Sequence, residues 1–241
     1  SDIAKIETLS GDTAIALNFY RNIDDPDEAI RFKIYHREGL IPLSDCLPML
    51  ESLGFKVLEE HPYGLASRTT GDTVSIHDFH MLDPTGHELD LGALKGKFED
   101  AFGKVWAGEI DNDGFNRLVM RAQLSWRDIV VLRAFCKYLR QVGIPYSQPY
   151  MEDTLAAHPA IACQLIELFH TRFDPSAEKD RDRRTQKCVA VIAEALDRVT
   201  SLDEDRIIRR YLNLVLSTLR TNYFQTDADG APKPYVSFKF D

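Results

Sequence analysis

Two short stretches near the start of the chain alternate apolar with polar or small residues. In TAIALNFYRN, Ile15, Leu17 and Phe19 alternate with Ala14, Ala16 and Asn18, and in RFKIYHRE, Phe32 and Ile34 alternate with Lys33 and Tyr35. A period of two suits a strand with one buried face, so both are predicted as strands, with IDDPDEA as the polar turn between them. The period then changes. In PLSDCLPMLESLGF, Leu47, Leu50 and Leu53 lie along one side of a helix, with Ser44 expected as N-cap, Pro48 in the first turn and Gly54 as the stop. FKVLEEHPYGL and DTVSIHDFHML return to a strand pattern, joined through SRTTGD, and a second helix is expected from Leu89 to Ala107.

From Asp111 onward the pattern is helical. LSWRDIVVLRAFCKYLRQVGIP carries Ser125 and Asp128 as an N-cap and N3 pair, with Ile129, Leu132, Cys136 and Leu139 on one face, and Gly143 and Pro145 end it. Val131, Phe135 and Tyr138 add a second apolar face, which predicts a central position in a bundle. Ser147 starts a short helix that breaks at His158-Pro159, Pro159 opens another to Phe173, and a further helix follows Ser176. In SLDEDRIIRRYLNLVLSTLRTNYF, Ser201 and Glu204 form a capping box, and Ile208, Leu212, Val215 and Leu219 are the expected buried stripe.

The first half therefore reads β-β-α-β-β-α. The ferredoxin-like arrangement, to which ACT domains belong, is β-α-β-β-α-β with its first and last strands adjacent and antiparallel. Residues 13–21 are expected to take the place of the missing last strand. The predicted fold is α+β: an ACT-like (ferredoxin-like) domain with an antiparallel sheet over residues 1–110, then an all-α helical bundle over 111–226. Residues 227–241, which contain GAPKPYVSFKFD, read as a strand or linker. A lone strand cannot satisfy its own backbone, so this one needs a partner. That partner is expected in a following domain, or on the helical bundle if the segment folds back.

Composition narrows the function. Twenty-nine Lys and Arg against 38 Asp and Glu leave a net charge of −9, which disfavours nucleic acid or an anionic membrane as the main partner. Four cysteines without a C-x-x-C pair read as buried, reduced thiols. Neither a membrane span nor a signal peptide is visible, and a soluble cytoplasmic protein is expected.

No motif carries chemistry. GALKGKF sets Gly92 and Gly96 one position too close for a phosphate loop, and Phe98 stands where its hydroxyl would be. No G-x-G-x-x-G occurs to hold a dinucleotide. His77 and His80 lie three apart in a predicted strand and so point to opposite faces, which prevents them from chelating one ion; with His61 and His87 they read as ordinary surface or edge histidines, and no metal site is expected. The basic run with Arg181, Arg183, Arg184 and Lys187 is interleaved with acids and reads as a solvated helix face.

Four blocks carry a family resemblance: RFKIYHREGLIPLSDCLPMLESLGFKVLEEHPY, SWRDIVVLRAFCKYLRQVGIPYSQPYMEDTLAAHPAIACQLIELFHTRFDP, YLNLVLSTLRTNYFQ and PKPYVSFKFD. Together they resemble the bacterial NAD-specific glutamate dehydrogenases of the large-subunit class, over nearly the whole chain. The resemblance implies a parent that converts L-glutamate and NAD to 2-oxoglutarate and ammonia. It also implies that this chain is a non-catalytic regulatory and scaffolding fragment, inactive alone and without a cofactor, because the family's catalytic and NAD-binding residues lie further along. Its expected partners are the downstream catalytic domain, further copies in a homo-oligomer and an amino-acid effector. In ACT domains such a ligand sits at the loop after the first core strand, here Arg37, Glu38, Gly39, Leu40, Ser44 and Asp45. Arg220, Asn222, Tyr235, Val236 and Phe238 are the residues expected to dock the catalytic domain. Two alternatives stand beside this reading: an amino-acid-binding sensor module and a purely structural docking or oligomerisation domain.

Overall fold

The leading strands β1 (Ile15–Tyr20) and β2 (Ala29–His36) pair antiparallel, with Phe19 opposite Phe32. The computed structural model describes residues 2–9, 15–26, 29–37, 39–66, 73–84, 86, 89–176 and 179–241. The SRTTGD join, Thr13, Ala14, Glu38, His87 and Glu178 lie outside the described residues. The chain divides into two units, Ser1–Gln123 and Leu124–Asp241.

In the first unit, α2 (Leu43–Ser52), β3 (Lys56–Ala66), β4 (Thr73–Leu82) and α3 (Leu91–Trp106) follow in the predicted order. The sheet order is β1-β2-β4-β3 with antiparallel neighbours throughout. This is the ferredoxin-like order with β1 in the place of the missing last strand. Its helix-covered face is aromatic: Phe98 of α3 stacks on Phe19 at 4.4 Å and meets Phe32 edge-on at 5.0 Å, while Phe102 meets Phe32 at 4.9 Å. Each such side chain, fully buried, contributes on the order of 2–3 kcal/mol of hydrophobic stabilisation.

The opposite face is covered in part by α1 (Asp2–Glu7), an element the pattern did not announce. Leu9, Ala16, Tyr35 and Ile76 cluster there with Ile6 and Val74. That cluster explains why Tyr35, on the face assigned to polar residues, is fully buried. Its hydroxyl donates to Asp2 Oδ1 at 2.7 Å.

Two expectations for α2 need correction. Its N-cap is Pro42, with no side-chain cap bond, and Ser44 lies inside the helix with its Oγ turned to Asp45 Oδ1 at 3.2 Å. Pro42 already holds the extended backbone that a cap position uses, so the helix begins two residues earlier than a cap at Ser44 would set it. Pro48 consequently falls in the second turn. The i−4 carbonyl it leaves without a donor belongs to Ser44, which is exposed and open to water.

Both sheet edges are guarded. On β1, the outward Phe19 N–H donates to Glu99 Oε1 at 2.8 Å and the Phe19 carbonyl accepts from Lys95 Nζ at 2.8 Å, so α3 occupies that edge. On β3 a proline, charged side chains and a bulge interrupt the ladder. A 3-10 turn, Gly114–Arg117, runs into α4 (Leu118–Arg121) at the end of this unit. Gly54 ends α2 at φ +99, where a Cβ would lie 3.5 Å from the Arg117 side chain.

The second unit contains α5 (Trp126–Gln141), α6 (Gln148–Ala157), α7 (Pro159–Phe173), α8 (Arg181–Leu196) and α9 (Leu202–Ser217). Ser125, Ser147 and Ser201 each accept from the backbone N–H three residues on, as their positions predict. The capping box at α9 is not reciprocal, since Glu204 bonds His158 Nε2 at 2.8 Å instead. Its buried stripe is Ile207, Ile208, Tyr211, Leu214 and Val215, whereas Leu219 lies beyond the helix and is exposed. No helix among the described residues is long and apolar enough to cross a membrane.

Candidate functional site

The loop from β2 into α2 carries the residues expected to take an effector, and two side chains of β4 hold it. Ser75 Oγ donates to the Gly39 carbonyl at 2.6 Å, and His36 Nδ1 donates to the same oxygen at 3.0 Å. Gly39 sits at φ +95, a backbone state that an L side chain would strain. The Ile41 N–H donates to His77 Nε2 at 3.0 Å, which makes that nitrogen the acceptor and leaves the proton on Nδ1. His77 Nδ1 then donates to Glu60 Oε1 at 2.8 Å. A neutral, buried imidazole thus links the loop to β3. His77 and His80 lie on opposite faces, as their spacing predicts.

The expected ligand residues are placed unevenly. Arg37, Leu40, Ser44 and Asp45 are exposed, Gly39 is half-buried with its carbonyl engaged, and Glu38 lies outside the described residues. The first turn of α2 has no side-chain cap, so its free backbone N–H groups are available to an anion. Asp45 in the same turn opposes one.

The expected docking residues gather in the second unit. β5 (Thr218–Thr221) and β6 (Phe238–Phe240) pair antiparallel, with Arg220 opposite Lys239. The terminal strand therefore has its partner in the helical unit, the second of the two expectations. Arg220 belongs to β5 and not to a helix end, and it is exposed. Asn222 does most of the holding: its Nδ2 donates to the Tyr235 carbonyl at 3.1 Å and its Oδ1 accepts from the Ser237 N–H at 2.7 Å. Tyr235 is exposed and Val236 half-buried. Phe238 packs on Phe135 at 4.9 Å, and Phe240 on Tyr138 at 4.5 Å.

Beside this hairpin lies a network that the sequence did not reveal. The Asp128 carboxylate accepts from His170 Nε2 at 2.7 Å, Tyr223 OH at 2.8 Å and Ser125 Oγ at 2.6 Å. Burial pushes its pKa up, but the three hydrogen bonds outweigh burial and hold it below the usual carboxylate range. The Tyr223 phenol is pushed well above its usual value, first by burial and then by Asp128. Arg127 donates to the Lys233 carbonyl at 2.9 Å and lies over the Tyr223 ring at 5.2 Å. The only local signal was Asp128 at N3 of α5, because its partners on α7 and after β5 lie 42 and 95 residues away. This constellation ties chain segments together and leaves its carboxylate fully engaged. It is suited to holding the hairpin.

Comparison with known proteins gives these geometries a family. The glutamate dehydrogenase ACT3 domain profile matches residues 14–94, glutamate dehydrogenase helical motif 3 matches 110–175, and the bacterial NAD-glutamate dehydrogenase catalytic domain matches 191–241. The NAD-specific glutamate dehydrogenase of Halomonas elongata is 42% identical over 240 residues, and that of Pseudomonas aeruginosa 40% identical over 243, each alignment covering 100% of this chain. The Mycobacterium tuberculosis NAD-specific glutamate dehydrogenase is 44% identical over 192 residues, or 76% of the chain. The chain spans 15% of the length of the first two relatives and 12% of the third. The resemblance to the bacterial NAD-specific glutamate dehydrogenases thus holds along the whole chain, and the sheet unit carries their ACT3 domain.

Proposed function

We propose that this chain is a non-catalytic regulatory and scaffolding segment of an NAD-dependent glutamate dehydrogenase, and that its second unit seats the start of the catalytic domain. The observation that carries the proposal is the β5–β6 hairpin. It lies within the stretch that the catalytic-domain profile matches, yet its aromatic side chains pack on α5 and α7 of the preceding bundle. A strand pair anchored in this way transmits the position of the bundle to whatever the chain leads into. In the whole enzyme, Asn222→Ala removes both clamps on the 235–237 segment and is expected to lower glutamate-dependent NAD reduction severalfold. The isolated chain is expected to show no turnover. Turnover by the chain alone, or unchanged activity of the substituted enzyme, contradicts the proposal.

A second reading, that the sheet unit senses an amino acid, rests on the uncapped start of α2 and on exposed Arg37 in the loop that leads into it. Backbone N–H groups there can take a carboxylate, and the His77 and Ser75 bonds keep the loop in one shape. Calorimetry of the chain with glutamate and aspartate tests it. Saturable heat that Arg37→Ala abolishes supports sensing, and no heat with either ligand removes it.

A further inference from the structure

The register of β3 against β4 slips once: Val57 faces Met81 and Glu59 faces His80, so Leu58 is the extra residue of a β-bulge. An inserted residue reverses the alternation of the strand beyond it. Glu59 and His61 therefore share the face of His80, away from the helices, while Glu60 turns toward His77 on the other face. The bulge gathers three potential metal ligands on two adjacent strands. Glu59 Oε2 lies 3.3 Å from His61 Nε2 and 3.8 Å from His80 Nδ1, and the three ligand atoms all fall within 4.8 Å of one another.

From this geometry we infer that Glu59, His61 and His80 form a surface site for a divalent transition metal of the zinc class. Zinc bonds of roughly 2.05 Å in tetrahedral array place neighbouring ligand atoms about 3.3 Å apart. The Glu59–His61 pair already has that spacing, and His80 Nδ1, 3.8 Å from Glu59 Oε2, has to close on that carboxylate by about 0.5 Å. Two imidazoles and one carboxylate are a borderline-soft donor set that suits zinc better than magnesium or calcium. The side chains of Glu59, His61 and His80 are 64%, 49% and 27% exposed, so an ion reaches them without any opening of the fold. A fourth position stays open for water or for a side chain of another molecule.

Arg31 sets the strength of the site. Its Nη1 faces His80 Nε2, and a guanidinium only donates, so without metal Nε2 accepts and the proton resides on Nδ1. A metal on Nδ1 needs that proton on Nε2, where a histidine ligand ordinarily donates to an acceptor. Arg31 must therefore withdraw toward Asp25, which already takes its Nε at 2.7 Å and Nη2 at 2.9 Å. The guanidinium weakens the site without closing it.

The test is a zinc chloride titration of the untagged chain in competition with a chromophoric chelator, alongside imidazole NMR signals. One equivalent is expected to bind, shifting His61 and His80 and leaving buried His77 in place. His61→Ala and His80→Ala should each weaken binding by roughly tenfold or more, and Arg31→Met should tighten it by a similar factor. His61 is exposed on an edge strand, so circular dichroism of its variant is expected to match the wild type. Absence of saturable binding, or an affinity that both histidine substitutions leave unchanged, overturns the inference.

Discussion

In the sheet unit, polar side chains meet across paired strands: Lys33 of β2 lies 3.9 Å from its register partner Asp78 of β4, and Glu59 of β3 lies 3.8 Å from its register partner His80 of β4. In the helical unit, a single carboxylate on α5 collects donors from α7 and from the segment after β5. The first kind of network follows from register, since strands that pair correctly bring those residues together whatever else the unit does. The second exists only once remote segments have docked. Damage on the sheet face should therefore stay local, whereas damage to the helical network should release the terminal hairpin.

The largest effect is expected from Phe169→Ala. Phe169 is fully buried and meets Phe135, Phe173, Tyr223 and Phe238. Its truncation should cost about 3–5 kcal/mol in denaturant unfolding of the second unit, with the amides of 238–240 losing exchange protection. Protection retained there would show that the hairpin does not depend on the bundle core.

Asp128→Asn comes next, at about 2–4 kcal/mol near neutral pH, because it weakens three hydrogen bonds to a half-buried charge. The folded carboxyl titrates below its unfolded value, so its contribution is present above the unfolded pKa and is lost as pH falls through the folded one. The stability gap between wild type and variant should therefore narrow below about pH 4. A gap that is constant from pH 7 to pH 3 would mean that the carboxylate's charge contributes nothing.

His77→Ala probes the sheet unit and should cost about 1–3 kcal/mol, since it strands the Ile41 N–H in a buried position. Faster amide exchange is expected at Gly39–Ile41, with the second unit unchanged. The smallest effect is expected for Arg209→Ala, within about 0.5 kcal/mol, because its pair with Asp205 is an exposed helix-surface contact. A larger loss there would show that surface pairs on α9 matter to the bundle.

Most of the fold was legible in the sequence because its signals are local. Alternation marked β1 and β2, serine caps marked the starts of α5, α6 and α9, and Pro159 marked the start of α7. Substitution of β1 for the missing ferredoxin-like edge strand was legible too, from the order of elements alone. Less of the candidate sites could be read. Ser44 resembles an N-cap in every local respect, yet Pro42 takes the position because its backbone is already extended. Asn222 is among the residues expected to dock the catalytic domain, but nothing in its neighbourhood announces that it clamps residues 235–237.

The sequence by itself determined the alternation and periodicity, the caps, the division into a sheet half and a helical half, and the family resemblance. These properties depend on residues within a few positions of each other, or on collinear similarity. Tertiary structure alone decided the bulge at Leu58, the burial of Tyr35 under α1, the tautomer of His77 and the gathering of His170 and Tyr223 on Asp128. Each of these depends on which distant backbone lies alongside. That choice follows from packing the whole unit, because a side chain's hydrogen-bond partner and its exposure to water exist only after remote segments have come into contact.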